Sequence, residues 1–139
     1  GEKYYSSDRM LNIICNDKLS AAGRMGIRVT AQIGDVDFSD LKDIDVTTIF
    51  ANLLDNAIEA AQDTEGAFLD IKMQNIHQFR VISIVNAMEP GRKKPGHSGI
   101  GLENVRRTLE KYHGTIRQET VDGEYRVSVL LPEKEEKEE

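Results

Sequence analysis

The chain has little cysteine: Cys15 is the single one among its 139 residues. One thiol excludes an internal disulfide and is typical of proteins from a reducing compartment. Ile13 and Ile14 precede it, and this apolar setting predicts a packed thiol rather than a reactive one.

Long apolar runs and an excess of basic residues are also missing. No stretch of about 18 apolar residues is present, and no secretory signal precedes the first predicted helix. We therefore expect no direct insertion of this domain into a membrane. The formal net charge is -6, with 18 Lys and Arg against 24 Asp and Glu, which argues against broad binding to nucleic acid.

Much of the negative charge is concentrated at one end of the chain. Residues 133–139 hold five glutamates and two lysines, a composition typical of a solvated or disordered tail. The remaining length fits one domain, and a hydrophobic fraction of 39% is enough for a single core. We place this domain at residues 7–132.

The periodicity of the apolar residues predicts three helices and five strands. The helices are expected at residues 8–22, at 45–62 and from 102 onward, and the strands at 27–33, 67–75, 80–85, 116–121 and 125–131. Gly23 and Gly26 are expected to end the first helix, and Gly114 is expected to end the third. Residues 80–85 are almost continuously apolar, which predicts a central strand, and Asp122-Gly123 predicts a hairpin turn.

Helices and hairpins do not alternate strictly along the chain. The sequence therefore predicts an α+β fold, a two-layer sandwich with about three helices covering one face of a mixed sheet.

The second predicted helix carries two different faces. Its apolar residues recur at spacings of three and four and define one face: Ile49, Leu53, Ala57 and Ala60. Asn52, Asn56 and Glu59 share another. A carboxamide oxygen is a hard neutral ligand that suits Mg²⁺. The alternative is an ordinary solvated polar face.

A glycine-rich stretch, residues 96–102, leads into the third predicted helix. Glycines let the backbone approach a ligand closely, and a helix start offers unpaired N–H groups to phosphate. The alternative is a plain turn, because glycines also mark turns that bind nothing.

Together and in this order, the two stretches resemble the GHKL superfamily of ATP-binding domains. Residues 52–61, Asn-Leu-Leu-Asp-Asn-Ala-Ile-Glu-Ala-Ala, resemble its N box, and Gly99-Ile100-Gly101-Leu102 resembles its second glycine box. The residues of the two motifs are most similar to those of the AgrC-like, quorum-sensing branch of sensor histidine kinases. The resemblance covers residues 7–132 and implies a Bergerat-type ATP-binding fold, with ATP and Mg²⁺ as cofactors.

The resemblance also implies roles for the two asparagines of the helix. Asn56 occupies the position that holds Mg²⁺ in similar domains. Asn52 occupies a position where ATP-hydrolysing relatives have a glutamate that activates water. An asparagine cannot act as a general base at neutral pH, so the resemblance implies phosphate transfer to a protein rather than ATP hydrolysis. Glu59 departs from the family, because many histidine kinases have a basic residue there.

Asn86 ends the predicted central strand, where most family members have an aspartate that accepts a hydrogen bond from adenine. An amide oxygen can accept the same bond, so the resemblance implies that Asn86 contacts adenine. The family's first glycine box begins at this position, and its glycines are missing here, since residues 87–90 read Ala-Met-Glu-Pro. The alternative is an asparagine that caps a turn.

The resemblance identifies residues 87–98 as a short ATP lid. Its expected nucleotide contacts are three cations and one histidine: Arg92, Lys93, Lys94 and His97. Cations can stabilise charge on a transferring phosphoryl group, although an exposed basic turn is the alternative. Gly99 and Gly101 are expected to cradle phosphate with their backbone, and Ile100 and Leu102 are expected to pack under the nucleotide.

The histidines are His77, His97 and His113, and none lies in a helical phosphoacceptor context. We therefore expect a catalytic and ATP-binding domain that does not autophosphorylate alone. The implied partners are the dimerisation and phosphoacceptor helices of the same full-length kinase and a response regulator. The resemblance places the domain in the cytoplasm, as part of a membrane-bound bacterial sensor.

Two other functions remain possible on this fold. One is a degenerate GHKL interaction module with weak or no nucleotide binding, for which Glu59, the missing first glycine box and the short lid argue. The other is an anti-sigma-type serine kinase. A phosphoacceptor helix directly upstream in the full-length gene product would decide against the serine kinase.

Overall fold

A computed structural model describes residues 2–90 and 100–135, without the side chain of Ile100. Its elements, in chain order, are α1 (Arg9–Arg24), β1 (Arg28–Gln32), α2 (Asp43–Ala61), β2 (Phe68–Ile76), β3 (Phe79–Ala87), α3 (Ile100–Glu110), β4 (Thr115–Val121) and β5 (Glu124–Pro132). All eight predicted elements are confirmed, with shifts at their ends.

The five strands form one mixed sheet in the order β1-β2-β3-β5-β4. Strands β1 and β2 are parallel and the other pairs are antiparallel. Along β2, Leu69, Ile71 and Met73 are buried, whereas Asp70 and Lys72 are exposed. This alternation means that one face of the sheet packs against the helices and the other faces solvent. The predicted α+β sandwich and the central position of β3 are confirmed.

Helix α2 lies in the middle of the helical layer and packs on both α1 and α3. Its apolar face is buried as predicted: Ile49, Leu53, Ala57 and Ala60 are each at most 2% exposed. Asp43 and Asp45 lie in the first turn, where negative charge is favourable to the helix dipole. The helix therefore begins at Asp43, two residues before the predicted start.

Helix α1 extends past its predicted end. Asp8 caps its start by accepting a hydrogen bond from the Leu11 N–H at 2.9 Å, and aspartate is a preferred residue type at this position. The helix then continues through Gly23 to Arg24, because one glycine costs a helix only about 1 kcal/mol. The chain turns at Gly26, whose φ is +81°. The predicted end of α1 at residue 22 was therefore two residues early. Of the two glycines expected to end the helix, Gly23 lies inside it and Gly26 has the left-handed backbone.

The end of α3 differs from the prediction in a similar way. The residue with positive φ is His113, at +62°, rather than Gly114. The Gly114 N–H donates to the Leu109 carbonyl at 2.8 Å. A Cβ on Gly114 would lie 3.1 Å from Leu131 Cδ1 and 3.2 Å from the Leu130 carbonyl oxygen. Glycine is therefore needed at this position for space, not for a left-handed backbone.

The core also confirms the predicted state of the thiol. Cys15 is fully buried, and burial raises the pKa of its thiol to about 12. Phe38 and Leu41 anchor the connection between β1 and α2 in the core, at 1% and 6% exposure. Within residues 2–90 and 100–135, no helix is long and apolar enough to span a bilayer.

A buried arginine on β3 was missed by the sequence analysis. Arg80 is 2% exposed and donates to both carboxylate oxygens of Asp40, at 2.6 and 3.0 Å. It also donates to the carbonyls of Asp37 and Pro132. The guanidinium thus fastens the acidic connection before α2 to the end of the sheet, with its charge paired and hydrogen-bonded as burial requires.

Candidate functional site

The polar face of α2 points toward α3 and the sheet and is only partly solvated. Asn56 is 7% exposed, and Asn52 and Glu59 are half-buried. The Asn52 amide nitrogen donates to the Thr48 carbonyl of the preceding turn at 2.6 Å. The alternative of an ordinary solvated face therefore does not describe Asn56.

Asn56 is the first member of a short polar chain. Its amide nitrogen donates to the Tyr125 hydroxyl on β5 at 3.1 Å, and that hydroxyl donates to Gln118 Oε1 on β4 at 2.6 Å. Tyr125 is fully buried, and burial raises the pKa of its hydroxyl despite the hydrogen bond from Asn56. We call these three residues the Asn56–Tyr125–Gln118 chain.

Asn86 lies directly beside this chain. It is the register partner of Tyr125 across β3 and β5 and is fully buried. Its amide nitrogen donates to the Ala87 carbonyl at 2.9 Å, while its oxygen Oδ1 has no hydrogen-bond partner among the described residues. An unpaired buried acceptor costs about 1–3 kcal/mol, so this oxygen marks a place where a donor is expected.

The start of α3 lies against the polar face of α2. A Cβ on Gly101 would lie 3.3 Å from Asn52 Oδ1, so the helix start and the Asn52 carboxamide are in close contact. Leu102, also in this first turn, packs against the core as a partly buried residue. Gly101, Asn52, Asn56 and Asn86 therefore lie around one region between α2, α3 and the ends of the central strands.

The opposite ends of α2 and α3 are fastened by Asp45. It is 4% exposed, and it accepts from Lys111 Nζ at 2.6 Å and from the Tyr112 hydroxyl. Burial alone would raise the pKa of Asp45, but the bonds from Lys111 and Tyr112 outweigh burial and lower it. Because Gly101 lies at Asn52 and Lys111 lies at Asp45, α3 runs antiparallel to α2.

The cations of α3 are neutralised by carboxylates of the same helix. Arg106 is paired with Glu103 and Glu110, and Arg107 with Glu103. These partners lower the pKa of Glu103, with the hydrogen bond from Arg106 as the main cause. The helix surface after the glycine box is therefore close to neutral, and neither arginine is directed at Asn52 or Asn56.

Several predicted contacts fall outside the described residues. These are five of the predicted nucleotide contacts: Arg92, Lys93, Lys94, His97 and Gly99. The predicted packing of the Ile100 side chain under the nucleotide also falls outside what the structure describes. The predicted lid began at Ala87, but Ala87 is the last residue of β3 and Met88 is buried. The Met88 N–H donates to the Gly123 carbonyl at 2.8 Å. The start of the lid at Ala87 was therefore wrong, because this backbone continues along the β4–β5 hairpin.

The chemistry of this region is that of amides and hydroxyls. Among the residues the structure describes, no group of three or more His, Cys, Asp or Glu could hold a metal ion. A metal here would need Asn56 together with oxygens of a ligand or water. Tyr125 and Gln118 were not predicted from the sequence. The available signal was a tyrosine in a strand, since a buried tyrosine hydroxyl usually finds a partner.

A family model described as the GHKL domain matches residues 41–132. The chain belongs to the GHKL family. The match begins just before α2 and ends at the last residue of β5, so it includes all the residues placed around the region above.

Solved structures similar to this GHKL domain come from histidine kinases. The catalytic domain of histidine kinase ThkA superposes with a TM-score of 0.73 at 16% identity, over 93% of this chain and 94% of that one. Histidine kinase AdeS of Acinetobacter baumannii gives 0.71 at 13%, over 96% and 68%. The mycobacterial sensor histidine kinase MprB gives 0.60 at 20%, over 89% and 95%. No curated protein matches the chain.

At these identities the similarity establishes the fold of the GHKL domain. Its three helices on a five-stranded mixed sheet are those of a histidine kinase catalytic domain.

Proposed function

We propose that this GHKL domain binds Mg·ATP and presents the γ-phosphate to a histidine on a separate dimerisation domain. The observation that carries the proposal is the Asn86 carboxamide oxygen, which is buried and has no partner among the described residues. This oxygen lacks a hydrogen-bond donor, and the exocyclic amine of adenine can supply one.

The neighbours of Asn86 support a nucleotide at this place. Asn56 lies across Tyr125 from it and offers an amide oxygen, which suits Mg²⁺ together with phosphate oxygens and water. Gly101 opens α3 against Asn52, where free N–H groups of a helix start favour phosphate. Base, metal and phosphate contacts would thus follow one another from β3 to α3.

Bound ATP would supply the phosphoryl group, and the protein would supply position and charge neutralisation. Asn52 holds its amide nitrogen on the Thr48 carbonyl and has no basic atom, so it does not activate water. Asn56 would hold the metal, and Asn86 would hold the base. This set of groups favours transfer to an incoming imidazole over hydrolysis.

We extend the proposal to the partners and the location of the domain. The resemblance of residues 52–61 and 99–106 to the AgrC-like branch supports a phosphoacceptor helix pair in the full-length kinase and a response regulator beyond it. The similar solved structures from Acinetobacter and mycobacteria are sensor or histidine kinases. They support a bacterial sensor whose kinase domain faces the cytoplasm.

Calorimetric titration with ADP and a non-hydrolysable ATP analogue, with and without Mg²⁺, tests the proposal. We expect saturable binding that is strengthened by Mg²⁺, and we expect Asn56→Ala to lose the effect of the metal. No binding up to about 1 mM, where the binding free energy is only about -4 kcal/mol, would sink the proposal and favour a GHKL interaction module.

A second titration tests the role of Asn86 directly. Inosine diphosphate carries an oxygen where ADP carries the amine, so it would place an acceptor against the acceptor Oδ1. We expect the domain to prefer ADP, and Asn86→Ala to bind ADP up to about tenfold more weakly and to lose the preference. Asn86→Asp is the control, because it keeps an acceptor. Equal affinities of the parent for the two nucleotides would contradict the assignment.

A further inference from the structure

The chain that links Asn56 to the edge of the sheet fixes how its carboxamide is turned. The Tyr125 hydroxyl has one proton, and that proton is donated to Gln118 Oε1 at 2.6 Å. Toward Asn56 the hydroxyl therefore presents only lone pairs. Asn56 must direct its N–H₂ group at Tyr125, as the 3.1 Å contact shows.

The same geometry decides which atom of Asn56 faces the site. The oxygen and nitrogen of a carboxamide lie on opposite branches of one planar group, so a nitrogen directed at Tyr125 turns the oxygen away from it. If the carboxamide were reversed, Oδ1 would meet a hydroxyl oxygen whose proton is already used. Burial of Tyr125 makes such an unpaired contact costly.

We propose that Tyr125 and Gln118 are positioning residues that hold the Asn56 oxygen toward the metal of the nucleotide complex. The inference rests on the proposed function, since it gives Asn56 a metal to bind. It adds two residues that act through Asn56 and touch neither nucleotide nor metal. When the groups that orient a metal-binding side chain are removed, the affinity for the metal commonly falls by about 10–100-fold.

The first test compares nucleotide affinity with and without metal. In Tyr125→Phe we expect the affinity for Mg·ADP to fall about tenfold toward the metal-free value, while the affinity for ADP in EDTA stays that of the parent. Tyr112→Phe is the matched control, because it also removes a hydrogen bond, the one that the Tyr112 hydroxyl donates to Asp45. This variant should keep the full effect of Mg²⁺.

Gln118 gives a second test that does not disturb the core, because its side chain is on the exposed edge strand. Gln118→Leu frees the Tyr125 proton to donate to Asn56 Oδ1, so we expect the carboxamide to reverse and the Mg²⁺ effect to shrink. Gln118→Glu can only accept, so it should keep the orientation and the effect.

Metal-free protein provides a readout independent of nucleotide. The Asn56 side-chain N–H₂ group donates to Tyr125. The NMR signals of these amide protons should exchange slowly with solvent in the parent and in Gln118→Glu, and faster in Tyr125→Phe and Gln118→Leu. If Asn56→Ala loses the Mg²⁺ effect but Tyr125→Phe and Gln118→Leu both keep it, the positioning inference is wrong and the proposed function stands. If the parent shows no Mg²⁺ effect, both fail.

Discussion

Gly101 shows how close two residues of the candidate site lie. A Cβ at this position would be 3.3 Å from Asn52 Oδ1, and Asn52 is held by its bond to the Thr48 carbonyl. Alanine would therefore push the Asn52 carboxamide out of place. We expect Gly101→Ala to bind ADP more weakly and Gly101→Val to bind it far more weakly, with the fold retained in circular dichroism.

Gly23 is the matched control for Gly101. Both glycines lie within helices, but a Cβ on Gly23 would meet nothing within 4 Å. Gly23→Ala should raise the free energy of unfolding by about 0.5–1 kcal/mol, because alanine costs a helix less entropy than glycine, and should leave ADP affinity unchanged. A Gly101→Ala variant that binds ADP like the parent would remove the glycine box from the site.

At this scale the sequence indicates candidate residues but not their partners. Asn52, Asn56 and Asn86 were proposed as site residues from their positions and from the resemblance, and their roles stay a prediction. The partner of Asn56, however, lies 69 residues away along the chain. That contact joins α2 to β5, so it depends on how the helix packs across the sheet rather than on any local pattern.

The helices α2 and α3 are held antiparallel by contacts at both of their ends. Asp45 fastens the start of α2 to the end of α3 through Lys111 and Tyr112. A carboxylate whose folded pKa is below its ordinary value of 3.8 adds stability that is fully present above that pH. As the pH falls, the unfolded state takes up the proton before the folded state does. The stability is therefore lost as the pH falls through the folded pKa.

Asp45→Asn should separate this effect from the rest of acid unfolding. At neutral pH we expect the variant to be less stable by about 1–3 kcal/mol, since a charged hydrogen-bond acceptor is removed. As the pH falls below about 4, the free energies of unfolding of the two proteins should converge, because protonation removes the charge of Asp45 from the parent and the variant has no charge there. Denaturant unfolding at a series of pH values measures both free energies. Asp43→Asn, an exposed acid of the same turn, should show a much smaller difference from the parent.

Element existence was predictable here, and element ends were less so. The apolar periodicity located α2 and β3, and Asp122-Gly123 located the hairpin, with φ of +34° and +80°. The end of α3 was misjudged, because the left-handed residue is His113 while Gly114 is required by the approach of Leu131. A glycine signals both needs in the same way, and only the packing distinguishes them.

On the scale of the whole molecule, one core joins the three helices and the sheet. The buried face of α1 packs in the same cluster as α2 and the strands, and Lys18 pairs with Asp55 of α2 at 2.8 Å. The connection before α2 is fastened to β3 by Arg80. The candidate site is built from α2, α3, β3 and β5, so its geometry should depend on the integrity of this single core.

Cys15 can report whether the core opens as one unit. The thiol is fully buried on α1, and its pKa of about 12 keeps it protonated at neutral pH. Labelling requires an accessible Cys15 thiolate to attack the disulfide of the reagent and displace its other thiolate, so it should require unfolding. Mg·ADP binds the folded state and so lowers the fraction of unfolded protein. If α1 opens only with the rest of the domain, the labelling rate should fall by a factor of one plus the ratio of ligand concentration to Kd.

The measurement is the rate of Cys15 labelling by a disulfide reagent at increasing Mg·ADP. A Cys15→Ser variant with Ser20→Cys, an exposed position on the same helix, is the control, and it should label fast at every ligand concentration. If calorimetry shows that the protein binds Mg·ADP and the labelling rate of Cys15 does not change with Mg·ADP concentration, then α1 detaches without unfolding of the rest of the domain. The site would then depend on the sheet, α2 and α3, and α1 would be a separately opening part of the domain.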